Sequence, residues 1–154
     1  FNKRIVSHRK IIHLALIIMA KTGDVVGARK QVRPVWERLE KLDGWYLVEL
    51  RMINAMLFLF PIDEAILISG TALAQIQKYV NHPFAGKIAV SLRHNLCLLL
   101  LKNGRYAETI MRIDELIPAL VRLLSQKRTC LSEDGKSRRP AADRPSIPLD
   151  RSSG

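Results

Sequence analysis

The stretch that decides the fold is Asp43–Pro61, with the sequence DGWYLVELRMINAMLFLFP. It begins with a turn-forming Asp-Gly pair, continues over about five helical turns and ends at a proline. Its second half is apolar except for one amide, Asn54. The spacing predicts a helix over residues 45–60. Because the segments on both sides repeat this layout, we expect this helix to be the central repeat of a helical array.

The composition is typical of a globular chain, with 48% hydrophobic and 25% charged residues among 154. Few aromatic residues and many Leu, Ile and Ala favour helices packed on helices. The longest apolar runs fall far short of the roughly 20 residues that a membrane span needs. No secretory signal pattern is present, so we expect a cytoplasmic protein with no membrane contact. Since the chain begins with Phe1, we expect a fragment or a processed protein.

Glycine and proline positions divide the chain into six predicted helices. Gly23 can adopt the left-handed conformation that ends a helix, and Asp24 can cap the helix that follows. Asp63 is the expected cap of the fourth helix. Pro34 and Pro118 fall inside predicted helices, so we expect a kink or a restart at the first and a bend or an end at the second. The six predicted ranges are 5–21, 24–42, 45–60, 64–79, 84–102 and 105–125.

Consecutive breaks pair these helices into three hairpins with a period of about 40 residues, longer than the roughly 34 of tetratricopeptide repeats. The turn chemistry, with a glycine before the second helix of a hairpin, is nonetheless closer to that class. We therefore predict an all-α fold, a tetratricopeptide-like right-handed array of three helical hairpins over residues 1–126. Residues 127–154 are predicted to be a disordered tail, and their composition is also compatible with non-native sequence.

Three polar residues recur at equal intervals in the first helices of the hairpins: His13, Asn54 and Asn95, called the amide column below. First helices line the concave face of such an array, and an amide can both donate to and accept from a peptide backbone. The column therefore predicts a peptide-binding site. Lys10 and Arg51, one turn earlier, would meet a carboxylate. The alternative is that the two asparagines bridge neighbouring helices and that His13 is structural.

Charge and chemistry limit the other functions. Residues 1–41 hold ten Lys or Arg against three acidic residues, a net +7 of the total +11. We favour a solvated helix face over nucleic-acid binding, because Phe1 and Trp36 are the only aromatic residues among these charges, too few for the stacking that single-strand binders use. A helix-turn-helix over the first two helices is disfavoured by Arg29, at a position that should be apolar, and by Pro34. No catalytic group is placed near a histidine, and no phosphate loop or metal spacing occurs, so we predict no enzyme, cofactor or metal.

Three further side chains have predicted environments. Trp45 and Tyr46 are expected to pack against the preceding hairpin, and Glu49 is expected to be a solvated helix charge.

The chain over residues 5–125 resembles the C-terminal region of the Rgg/GadR/MutR family of transcriptional regulators of Gram-positive bacteria. The segment Trp-x3-Glu-Leu-x4-Asn is the most specific part of the likeness. The residues that carry the likeness are Leu42, Trp45, Glu49-Leu50, Asn54, the apolar run to Phe60, Pro61-Ile62-Asp63-Glu64-Ala65, Asn95-Leu96 and Asn103-Gly104-Arg105-Tyr106.

The resemblance implies a peptide-sensing regulatory and dimerisation domain of a cytoplasmic quorum-sensing regulator. Its partners would be a short signalling peptide, bound on the concave face, and a second copy in the full-length protein. DNA would be contacted only through an N-terminal helix-turn-helix domain that this chain lacks. The alternative function is a protein–protein interaction scaffold with no peptide ligand. The peptide clamp would consist of Asn54, Asn95 and Arg51, with His13 and Lys10 beside them.

Overall fold

The computed structural model describes the backbone of residues 2–136 and the side chains of residues 6–125. Regular structure in this part of the chain is entirely helical, which confirms the all-α prediction. Short 3₁₀ turns at Leu57–Leu59 and Gln77–Tyr79 extend two of the helices. The α-helices are α1 (Asn2–Thr22), α2 (Val25–Glu40), α3 (Leu47–Met56), α4 (Ile62–Ile76), α5 (Ala85–Lys102) and α6 (Tyr106–Lys136).

Contacts divide the chain into two units, Phe1–Leu123 and Leu124–Gly154. In the second unit the described backbone is the helical end of α6. Of the predicted disordered tail, residues 137–154 lie outside the described residues. The paragraphs below concern the first unit.

The break between α1 and α2 has the predicted chemistry. Gly23 has a φ of 72°, in the left-handed region that glycine adopts without a steric penalty. The Asp24 carboxylate accepts a hydrogen bond from the backbone N–H of Gly27 at 2.8 Å, and the Thr22 hydroxyl accepts one from the Asp24 N–H at 3.1 Å. Local residues therefore end the first helix and begin the second.

The central helix is shorter than predicted because a proline controls its end. α3 begins at Leu47 instead of Trp45, and after Met56 it tightens into the 3₁₀ turn. Phe60 is extended, with φ −91° and ψ 152°, as a residue before proline must be. The expected cap of α4 was wrong: the helix begins after Pro61, and Asp63 in its first turn forms an ion pair instead.

The two internal prolines do not end their helices, so of the outcomes expected at these positions the restart and the end do not occur. α2 continues through Pro34 without a restart, and α6 continues through Pro118. Both prolines are exposed, as are Lys30 and Asp114, whose carbonyl groups lose the intrahelical donor. Solvent can satisfy these carbonyls, so the helices persist despite the missing hydrogen bonds.

The core is built around α3, which contacts α1, α4 and α5. Its inward side chains Leu50, Ile53 and Met56 are fully buried, as are Leu57 and Leu59 of the 3₁₀ turn. Full burial of side chains of this size contributes about 1.5–3 kcal/mol each. The predicted central stretch is therefore the centre of the hydrophobic core.

Packing of α2 against the core follows the predicted apolar stripe, since Val32 and Leu39 on it are buried. Trp45 is buried as predicted, its ring 6.3 Å from that of Trp36, and its indole N–H donates to the Leu39 carbonyl at 2.9 Å. The same prediction was wrong for Tyr46, which is 67% exposed. Tyr46 is the extended residue that precedes α3, so its side chain does not follow the helical spacing of the packed face.

α6 runs antiparallel to α5. Gly86, near the start of α5, lies beside Leu123, late in α6. Cys97 lies later in α5, near Arg112 of α6. Burial raises the pKa of the Cys97 thiol, and the Arg112 guanidinium opposes this shift. Arg105 in the turn between these helices donates to Asp63 of α4 at 2.7 Å. None of the helices in the described part of the chain is both long and apolar enough to cross a membrane.

We expect Asp24→Ala to lower the free energy of unfolding by about 1 kcal/mol, because the N–H groups at the start of α2 lose their acceptor. Chemical denaturation followed by circular dichroism measures this change. Asp24→Asn is the matched control, since asparagine caps helices as well as aspartate does. Equal destabilisation by both substitutions would contradict the capping role.

Candidate functional site

The two asparagines of the amide column form a hydrogen-bonded chain between α3 and α5. Asn95 donates from Nδ2 to Asn54 Oδ1 at 2.9 Å, and Asn54 donates from Nδ2 to the Ser91 hydroxyl at 2.8 Å. Both amides are half-buried, whereas His13 in α1 is exposed and takes no part in this chain. This hydrogen bond is the one expected if the two asparagines bridge neighbouring helices. Among the described residues, Asn95 Oδ1 accepts no hydrogen bond.

The apolar positions that follow the amide column do not share one environment. Leu57 is buried, whereas the equivalent Leu98 is exposed. In the next column Ile17 is exposed and Leu99 is buried. Leu57 lies in the 3₁₀ turn, where the residue spacing per turn differs from that of an α-helix. Equal sequence intervals therefore do not give equal burial.

A pocket with basic side chains lies beside the amide column, between α1 and α3. It has a volume of about 210 Å³. Its basic lining residues are Arg9, His13 and Arg51, and the others are Ile12, Val48, Met52 and Ala55. We call these seven residues the basic pocket.

Helical spacing explains how the pocket is assembled. Arg9 and His13 lie four residues apart and therefore share one face of α1, while Val48, Arg51 and Ala55 share one face of α3. The contact between α1 and α3 brings the two faces together.

Two of the three basic residues of this pocket, His13 and Arg51, were predicted from the sequence to bind a peptide. The third residue predicted beside them was Lys10, the neighbour of Arg9. His13 and Arg51 line it, as does Arg9, whereas Lys10 is not among the lining residues. The signal that could have found Arg9 is its position one helical turn before His13. Counting equal intervals along the chain selects a single column instead of a helix face.

The electrostatics of the basic pocket favour anions. Two guanidinium groups and one imidazole line it, and no carboxylate is among its lining residues. Guanidinium forks match carboxylate geometry and can donate two parallel hydrogen bonds. Since Arg9 and Arg51 are exposed, solvent screens them and each contact to an anion contributes only modestly.

A second pocket of about 390 Å³ lies at the turn between α2 and α3, next to the end of α4. Trp45, Tyr46 and Tyr79 contribute aromatic rings to it, and the Tyr79 hydroxyl donates to the Trp45 carbonyl at 3.3 Å. Asp43 and Lys78 both line it, so opposite charges are present together. This lining selects no ligand by charge, unlike that of the basic pocket.

Glu49 corrects a prediction made from the sequence. It was expected to be a solvated helix charge, but it is 7% exposed, and its Oε2 has no hydrogen-bond partner among the described residues. Glu49 precedes Leu50 on the side of α3 that packs inward, so its position on the helix keeps its side chain away from solvent.

Within the described residues, no group of three or more His, Cys, Asp or Glu side chains is placed to hold a metal ion. Comparisons with protein-family models, with curated proteins and with solved structures find no match to this chain.

We expect Asn54 and Asn95 to be energetically coupled, because either substitution to Ala leaves the partner amide without its hydrogen bond. Each single substitution should lower the free energy of unfolding by about 1 kcal/mol. The double variant should lose less than the sum, with a coupling of at least about 0.5 kcal/mol. A double-mutant cycle by urea denaturation measures this, with Asn103→Ala as a control at the end of α5. Strictly additive losses would contradict a structural bridge.

Proposed function

We propose that this chain is the peptide-sensing regulatory and dimerisation domain of a bacterial helix-turn-helix transcriptional regulator that acts in the cytoplasm. The observation that carries the proposal is the basic pocket, which Arg9, His13 and Arg51 line together and to which the described residues contribute no carboxylate. The resemblance to the Rgg/GadR/MutR family supplies the regulatory setting, in which DNA is bound by a domain outside this chain. The ligand is a short signalling peptide.

The finer architecture under this proposal is a right-handed, tetratricopeptide-like array of three hairpins. Its support is the pattern of contacts, in which α3 packs against both α1 and α5. These are the first helices of the three hairpins, and neighbouring first helices are what a stacked array requires. The basic pocket and the amide pair then lie on the one surface that these helices line.

Within this proposal the peptide clamp is assigned differently from the sequence prediction. Asn54 donates to Ser91 and accepts from Asn95, so its amide is largely committed to the protein itself. Arg9 and Arg51 become the main contacts to the peptide, with His13 beside them. Asn95 Oδ1 can still accept one backbone N–H of an extended peptide.

Dimerisation has separate support in α6. Tyr106, Ile110, Ile113, Ile117 and Leu120 form an apolar stripe at spacings of four and three residues, and each is 37–64% exposed. We call these five residues the α6 stripe. A second copy of the same stripe is a self-complementary occupant, since heptad spacing suits helix pairing.

The second candidate function is a protein–protein scaffold with no peptide ligand. The hydrogen bond between Asn54 and Asn95 favours it, because these amides satisfy each other instead of facing an open groove. The two candidates differ in one observable property, the capture of short peptides by the basic pocket.

We expect the 154-residue chain, when immobilised, to enrich peptides with a carboxylate near one end from a random octapeptide library. Arg51→Gln should reduce this enrichment by roughly threefold, since an exposed charge pair is worth about 0.2–1 kcal/mol. Deep sequencing of the retained pool measures it. Arg38→Gln, an exposed arginine of α2 outside the pocket, is the charge-matched control. No enrichment by the folded chain would favour the scaffold.

We expect Ile117→Glu to convert a dimer into a monomer, because it introduces a charge in the middle of the α6 stripe. Sedimentation equilibrium over a concentration series measures the change in association. Met111→Glu is the matched control, since Met111 is 68% exposed but lies off the stripe. A monomeric wild-type chain, or equal effects of both substitutions, would contradict this interface.

A further inference from the structure

The basic pocket combines two kinds of lining that a single ligand group must satisfy together. Arg9, His13 and Arg51 supply cationic or hydrogen-bonding groups, while the rest of the lining is apolar. Val48 is 40% exposed and Ala55 is half-buried, so these two residues present apolar surface to the pocket, whereas Ile12 and Met52 are already buried. An anion that filled only the basic part would leave the surface of Val48 and Ala55 in contact with water.

The volume of the pocket limits the size of the ligand group. The volume of the basic pocket is about 210 Å³. Pockets for drug-sized ligands begin at about 300 Å³. The basic pocket therefore suits a single amino-acid residue, and the remainder of a bound peptide must lie outside it.

We infer that the basic pocket is the subsite for the C-terminal residue of the peptide, with a free α-carboxylate between Arg9 and Arg51 and an apolar side chain against Val48 and Ala55. This inference rests on the proposed function. Only a C-terminal residue carries a carboxylate and an apolar side chain on the same carbon. An internal Asp or Glu has a carboxylate but no apolar branch, and a phosphate has no apolar part.

The inference also gives the bound peptide a direction. With its C-terminus held between α1 and α3, the preceding residues extend over the surface toward α5, which packs on the other side of α3. Asn95 Oδ1, which accepts no hydrogen bond from the described residues, is then available to an N–H of the peptide backbone.

The test uses N-acetyl-L-leucine and N-acetyl-L-leucinamide, which differ only in the charge of the terminal group. Each is titrated into the ¹⁵N-labelled 154-residue chain and followed by amide chemical shifts. We expect the acid to shift amides of residues 9–13 and 48–55 and to bind several-fold more tightly than the amide. Arg9→Gln and Arg51→Gln should each weaken binding of the acid by about threefold, as expected for exposed charges that solvent screens, and Arg38→Gln should leave it unchanged.

Two results would overturn the inference: equal binding of the acid and the amide, or inorganic phosphate displacing the acid from the same residues at lower concentration. The outcomes separate this subsite from the proposed function. Peptides that the chain enriches but that bind equally well after C-terminal amidation would leave the peptide-sensing function standing and remove the subsite. Binding of N-acetyl-L-leucine without enrichment of any peptide would leave the carboxylate subsite standing and remove the peptide-sensing function.

Discussion

The structure depends on the burial of α3 against three other helices. Leu50, Ile53 and Met56 are removed from water completely, and the 3₁₀ turn that follows adds Leu57 and Leu59. A helix packed on several sides cannot rotate or slide without exposing part of this surface, which at about 25 cal/mol per Å² is expensive. The positions of α1 and α5, and of every group on the surface they share with α3, are fixed by this packing.

The polar groups on α3 are placed by the same constraint. Asn54 is carried to the contact with α5, where it meets Asn95 and Ser91 and avoids the cost of a buried amide without a partner. Arg51 is carried to the contact with α1, where no carboxylate accompanies it in the pocket. One side of α3 is therefore electrostatically satisfied within the protein, while the other offers cations to a ligand. This asymmetry favours ligand binding on the side of α3 that faces α1.

Two surfaces of the first unit differ in what they offer a partner. The basic pocket is small, charged and open, so it suits a short ligand with one anionic end. The α6 stripe is long and apolar and repeats at heptad spacing, so it suits another helix. Arg105 connects the start of α6 to the rest of the unit, since it donates to Asp63 of α4 and to Glu108 in the first turn of α6. The turn that precedes the α6 stripe is thereby held against α4.

The sequence by itself determined the all-α class, the approximate helix ranges, the glycine turn at Gly23 and the inward face of α2, because these follow from interactions between residues at most four positions apart. Only the tertiary structure decided that Asn54 pairs with Asn95, that Glu49 is buried and that Arg9 lines the pocket instead of Lys10. Each of these depends on how one helix is rotated against another. That rotation is set by the packing of the whole core, which brings together residues far apart in the sequence.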